Sequence, residues 1–167
     1  MQQFKTYFLL LITIVTLSLS NQLLAAPASE LWEKWASHEA NSKLTIDHSQ
    51  WSDLTQRFVL PAKNGINLLA YSKFEIADKR QLKAYISTLS KTPIRQYNKG
   101  EQMAYWINLY NAITVNLILD NYPITSIRDV KSGFFSFGPW DKELITIEGE
   151  LLSLNDIEHR ILRPIWQ

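Results

Sequence analysis

The chain has 167 residues, a formal net charge of +1, 46% hydrophobic residues and no cysteine. These figures exclude disulfides, thiolate catalysis and cysteine metal sites, and they leave neither a basic stripe for nucleic acid nor an acidic tail. The length fits one domain, large enough to bury an unaided core.

The N-terminus comes first. Lys5 gives a short positive start, Tyr7 to Leu19 is mostly apolar, and small residues follow at Ala25, Ala26 and Ala28. That is the layout of a secretory signal peptide. The apolar run is shorter than the roughly 20 residues of a comfortable membrane span, an uncleaved anchor being the alternative. Residues 1–26 are expected to be removed, with cleavage between 25 and 28, and Ala26-Pro27-Ala28 has the small-x-small form. No cysteine follows the run, so a lipid-anchored bacterial lipoprotein is excluded. Lys5 is the only charge lost with the leader, which leaves the mature chain neutral. The expectation is an exported protein, periplasmic or secreted, with no stable membrane anchor and no nucleic-acid partner.

Beyond the leader, residues 27–75 read as an N-terminal helical segment and 76–167 as the core of the domain. Ser29 to Ser42 reads as a helix, with Leu31, Trp32, Trp35 and Ala36 on one stripe. Lys43 to Ile46 looks extended. Asp47 or Ser49 caps a second helix (Trp51, Leu54, Thr55, Phe58) that Pro61 stops. Asn64-Gly65 is a turn signal, and Asn67 to Lys73 is short and apolar. Lys79 to Ser90 is a third helix. The central helix starts after Asn98-Lys99-Gly100 and runs to about Asp120, where Tyr122-Pro123 closes it. Ser126 to Val130 reads as a helical turn and 131–139 as a surface loop. Leu144 to Ile147 and Leu151-Leu152 flank Glu148-Gly149-Glu150 as a β-hairpin. Ser153 to Asp156 resembles a capping box, with a last helix through Leu162 ended by Pro164. The sum is α+β: a helix-dominated single domain with a small antiparallel β-hairpin near the C-terminus.

Polar groups inside this pattern mark the candidate sites. Residues 104–111 read Ala-Tyr-Trp-Ile-Asn-Leu-Tyr-Asn. Asn108 and Asn111 are three apart and share a helix face. They either hydrogen-bond neighbouring backbone or line a cleft, because a buried amide without partners costs about 1–3 kcal/mol. Tyr110 and Trp140 are further candidate substrate contacts. His159 and Glu158 are the candidate catalytic residues, with His159 as general base and Asp156 placed to orient it. Adjacent residues of an α-helix diverge by about 100 degrees, so Glu158 and His159 are not expected to face one another. His38 and His48 lack the i, i+4 spacing of a helical zinc site, so no metal is expected, and no cofactor motif is present. Ser132 and Ser136 sit in the loop without a nucleophile elbow.

The runs Ala104 to Ala112, Tyr122-Pro123, Ser126 to Asp129, Pro139-Trp140, Gly149, Ser153 to His159 and Ile161 to Pro164 resemble, in order and spacing, the domain of unknown function 547 family in its exported bacterial form. Asp47 to Trp51 and Leu69 to Tyr71 are similar to the region that precedes the domain in those members. The resemblance implies a continuation after the Leu-Arg-Pro stretch, with an Arg-x-His-Phe-Ala strand and a Cys-Pro motif. The sequence stops at Gln167, before both. It is therefore expected to be a C-terminally truncated member, a genuine short member being the alternative. Leu162, Ile165 and Trp166 are expected to leave apolar surface at that end.

Two functions follow. In the first, complete relatives are enzyme-like, hydrolases or acyl-transfer enzymes using a cysteine, and this chain is an inactive form or a fragment. In the second, it is a non-catalytic binding module of the cell envelope, using the aromatic loop Phe134, Phe135, Phe137 and Trp140.

Overall fold

The computed structural model describes residues 29–61, 65, 67–130 and 138–166. The leader, the Asn64 half of the turn signal, and the loop residues Ser132, Phe134, Phe135, Ser136 and Phe137 lie outside them. The architecture is helix-dominated α+β with two small antiparallel strand pairs.

The first expected helix is absent. Of residues 29–42, only Glu33–Ala36 makes a 3-10 turn. Trp32 and Trp35 are three apart, a spacing that a 3-10 turn and an α-helix share. Trp32 and Ser37 on either side of it are extended, Ala40-Asn41 is a turn, and the backbone of this N-terminal arm before the 3-10 turn bonds to other parts of the fold. Glu30 N–H reaches the His159 carbonyl at 3.1 Å, and Trp32 N–H reaches that of Arg160 at 2.9 Å.

Helix α1, Ser49–Phe58, buries Leu54 and Phe58, and the Asp47 carboxylate accepts the Ser49 N–H at 2.8 Å. Strands β1 (Val59–Leu60) and β2 (Leu68–Leu69) then pair antiparallel, Val59 opposite Leu69 and Leu60 opposite Leu68. This pair was not expected as strands, since two residues carry no legible alternation.

Helix α2, Ile76–Ser90, starts three residues before the expected Lys79, because Glu75 and Asp78 form a reciprocal capping box. Asp78 also takes Arg57 of α1 at 2.6 Å. The central helix α3, Lys99–Asn121, has Asn98 as its N-cap, accepting the Glu101 N–H at 3.1 Å. It packs against α2 and the last helix. Ser126 and Asp129 make a second capping box at the turn Ile127–Asp129.

The core centres on α3. Tyr105, Trp106, Leu109 and Ala112 are fully buried there, with Leu82 and Leu89 from α2 and Ile157 and Ile161 from the last helix. Trp106 meets Trp35 edge-on at 5.1 Å and Tyr105 at 4.9 Å, geometries worth about 0.5–1.5 kcal/mol beyond area burial. The helix is not buried all round, however. Met103 is 40% and Ile107 38% exposed, and Asn111 continues this i, i+4 strip outward.

Strands β3 (Ile145–Ile147) and β4 (Glu150–Leu152) form the expected hairpin. Its turn puts Glu148 at φ 44° and Gly149 at φ 86°, the left-handed pair of a two-residue hairpin turn. Arg95 pairs with the Glu148 carboxylate and Lys34 with that of Glu150, so two segments clamp the turn.

The last helix departs most from expectation. Asp156–Leu162 is wound as a π segment and continues directly into α4, Arg163–Trp166. Pro164 does not end it. Leu162, Ile165 and Trp166, expected to be left as apolar surface, are half-buried against the core, and Lys99 Nζ lies 5.9 Å from the Trp166 ring. No helix among the described residues is long and apolar enough to cross a membrane.

Candidate functional site

The unusual winding follows from local chemistry. In an α-helix Arg163 N–H would bond the His159 carbonyl, and residue 164 would bond that of Arg160. Arg163 N–H bonds the Glu158 carbonyl instead, one residue further back. Pro164 has no N–H at all. Two carbonyls are thereby released, those of His159 and Arg160. Glu30 and Trp32 of the arm fill both. The Arg160 guanidinium also lies 4.3 Å from the centre of the Trp32 ring.

The wider turn rotates less per residue, which corrects the expectation for Glu158 and His159. Their side chains do approach, Nε2 to Oε1 at 4.0 Å. Glu158 is the centre of a cluster. Tyr110 OH donates to its Oε2 at 3.0 Å, and Arg163 lies 3.2 Å from its Oε1. Burial, with the Glu158 charge beside it, pushes the Tyr110 hydroxyl up to about 12.

On the other side of the segment is a cleft of about 430 Å³. Glu30 from the arm and Asp141 from the loop before β3 form part of its wall. Ser153, Asn155, Asp156, His159 and Arg160 of the last helix form the rest. The capping box is realised here: Ser153 N–H and Oγ–H both donate to Asp156 Oδ2, at 2.9 and 2.7 Å, and Asp156 N–H returns to Ser153 Oγ at 3.1 Å. Arg160 donates to Asp156 Oδ1 at 3.0 Å. Burial alone would raise the Asp156 carboxyl, but Ser153 and Arg160 outweigh it and hold it below the usual value. Asp156 is therefore committed to Ser153 and Arg160 and does not orient His159, contrary to expectation.

His159 is 6% exposed, and its Nδ1 is buried without a hydrogen-bond partner. The Ser153 hydroxyl donates to the Asp156 carboxylate and accepts the Asp156 N–H, so both of its hydrogen-bonding roles are taken up within the cap. Among the described residues no Ser or Thr hydroxyl is hydrogen-bonded to a histidine.

Of the sequence candidates, the fold brings together Tyr110, Glu158 and His159. Trp140 is not brought to them and does not line the cleft: its carbonyl accepts the Asn155 N–H at 3.0 Å, and its ring packs half-buried on the core. Gly138 permits this, at φ 110°, because a Cβ there would fall 2.0 Å from the Trp140 ring. Asn108 is half-buried and Asn111 exposed; neither lines the cleft, and neither side chain has a hydrogen-bond partner among the described residues. Sequence reasoning missed Glu30, Asp141 and Arg160. Arg160 alone carried a signal, four residues after Asp156 in ion-pair register.

Residues 94–166 match the family described as "Protein of unknown function, DUF547". No curated protein and no solved structure matches the chain.

Proposed function

We propose that this chain, whose residues 94–166 match the DUF547 family, is an exported, non-catalytic binding module of the cell envelope, with its ligand seated in the cleft beside His159. The observation that carries the reading is the commitment of Ser153: its hydroxyl is engaged as donor and acceptor in the Asp156 cap, so the one hydroxyl side chain of the cleft wall has a structural role. The zero cysteine count supports the same reading. Trp140, whose carbonyl is tied to Asn155, keeps a half-buried aromatic ring in the loop before β3. Such rings stack on sugars and dock peptides. Lys5, the apolar run and Ala26-Pro27-Ala28 support export.

An enzymatic reading draws on the Tyr110–Glu158–Arg163 cluster and the approach of His159 to it. The test separates the two. The protein starting at Ser29 is titrated with envelope glycans and short peptides while tryptophan fluorescence and melting temperature are followed, and hydrolysis of ester and amide substrates is assayed in parallel. Saturable stabilisation without turnover supports the binding module. Turnover that disappears in His159→Gln makes the protein an enzyme. Mass analysis of the chain in cytoplasmic, periplasmic and external fractions of the producing cell checks export, and a chain confined to the cytoplasm with its leader intact would sink it.

A further inference from the structure

We infer that the last helix carries a peptide-binding site, that residues 30–32 of the arm are its tethered occupant, and that an extended, aromatic segment of a partner protein takes their place. This rests on the binding-module reading and names the class of its ligand.

The site is a pair of main-chain acceptors. The π segment leaves the carbonyls of His159 and Arg160 without helical donors, while Ile157 and Ile161 fix the segment in the core. Residues 30–32 meet those carbonyls as a strand would. Alternate N–H groups, of Glu30 and Trp32, donate at 3.1 and 2.9 Å. A sheet edge captures a peptide in the same manner, with the main chain giving affinity and alternate side chains giving selection. Selection here falls to Arg160. Its guanidinium lies 4.3 Å from the centre of the Trp32 ring and is held from behind by Asp156 at 3.0 Å. The position of Trp32 therefore takes an aromatic side chain, and the residue two before it takes Glu30's place in the cleft wall.

The occupant is lightly held. Ser29, Glu30 and Leu31 are exposed, and their side chains make no hydrogen bond or ion pair with any described residue. Two backbone bonds and the half-buried Trp32 ring keep residues 30–32 in place. The firm anchor comes after the exposed Glu33. Lys34 pairs with Glu150 at 2.8 Å, and Trp35 is 1% exposed against Trp106. Residues 29–32 can thus peel away while Trp35 keeps the arm on the body. Segments with few buried contacts open well below the global unfolding free energy. Opening returns both carbonyls and the Arg160 face to a second extended chain.

A segment of a different protein fits that vacancy better than a second copy does. A second copy offers the same residues only on a short tether, because its own Trp35 is buried in its own core. Four residues reach about 13 Å, which would press the two bodies together.

The probe is the peptide acetyl-Ser-Glu-Leu-Trp-amide, compared with the same peptide N-methylated at its tryptophan and so lacking that donor. The receiver is the protein starting at Ser29 with Glu30→Pro and Trp32→Pro, which removes both resident donors. Calorimetry should show saturable binding, about tenfold or more tighter than to the unsubstituted protein, whose tethered arm competes. The methylated peptide should bind about tenfold or more weakly. Equal binding of the two peptides, or none to the folded variant, overturns the inference and leaves the glycan titration to decide the binding module. Cleavage of the peptide overturns the non-catalytic reading and upholds the site. A dimer of the unsubstituted protein that grows with concentration and excludes the peptide gives the place to a second copy and overturns the partner. If the variant does not fold, amide exchange on the unsubstituted protein decides. Exchange at Glu30 and Trp32 much faster than at Leu109 upholds the opening, and exchange at the Leu109 rate overturns it.

Discussion

Trp32 supplies the hydrogen-bond donor that Pro164 lacks: its backbone N–H lies 2.9 Å from the Arg160 carbonyl, four residues before the proline. A proline near the end of a helix ordinarily leaves that carbonyl to water or ends the helix. Here a strand-like arm from the other end of the sequence completes it, and α4 continues to Trp166.

The pair predicts a specific mutational asymmetry. Trp32→Pro removes the donor and leaves a part-buried carbonyl unpaired, costing about 1–3 kcal/mol. Trp32→Phe keeps the N–H and an aromatic face for Arg160, and it should cost less. Denaturant unfolding of both variants measures the difference. Equal losses would mean that the ring, not the backbone bond, holds the arm.

Acid should weaken the fold through His48. Its Nδ1 meets Tyr85 OH at 2.6 Å, while Nε2 is buried and unpartnered. Burial lowers its pKa from the ordinary 6.5, and the charges of Glu101 and Asp47 offset this only in part. The unfolded chain therefore binds a proton at a higher pH than the folded one. This contribution is intact above pH 6.5. It declines as pH falls from there to the lower folded-state value, below which it changes no further. Melting temperatures between pH 7.5 and 5 should show this limb, flattened in His48→Gln. An unchanged limb in that variant would assign the effect elsewhere.

Gly138→Ala should be among the most damaging small substitutions. It combines an unfavourable φ of 110° with a Cβ placed 2.0 Å from the Trp140 ring. The loss is about 1–3 kcal/mol for the backbone alone. The displaced ring should give red-shifted tryptophan emission and weaker ligand response in the cleft. A variant with native emission and stability would show that the loop yields freely.

Gln102, 2% exposed, spends its amide nitrogen on the carbonyls of Ser37, Ile94 and Tyr97, at 3.0, 3.1 and 3.3 Å. It stitches the arm and the Ile94–Gln96 turn to α3. Gln102→Leu preserves volume but strands those carbonyls, costing about 3 kcal/mol. Unfolding free energy reads this directly. A loss under about 0.5 kcal/mol, the range of an ordinary surface change, would show that water takes over.

The elements with local punctuation were legible. Asn98 and Pro123 bracket α3, Gly149 marks the hairpin, and Ser153 with Asp156 marks a true cap. What failed depended on partners remote in sequence. The arm was read as a helix because Trp32 and Trp35 fit its period, and nothing local reveals that its N–H groups go to residues 159 and 160. The π segment was invisible for the same reason, and with it the approach of Glu158 to His159. Pro164 was read as a stop because its missing bond was counted locally. Of the cleft, His159 was found by residue type. Glu30 and Asp141 are ordinary surface acids until the fold sets both in the cleft wall.

The arm also fixes an order of events. Its donors are made well before their acceptors, which lie on residues 159 and 160. Loops that close the whole chain form late and slow the search for the native state. Until residues 159 and 160 are made, the Glu30 and Trp32 N–H groups lack their acceptors. An arm that cannot settle before residue 160 exists stays threadable until then.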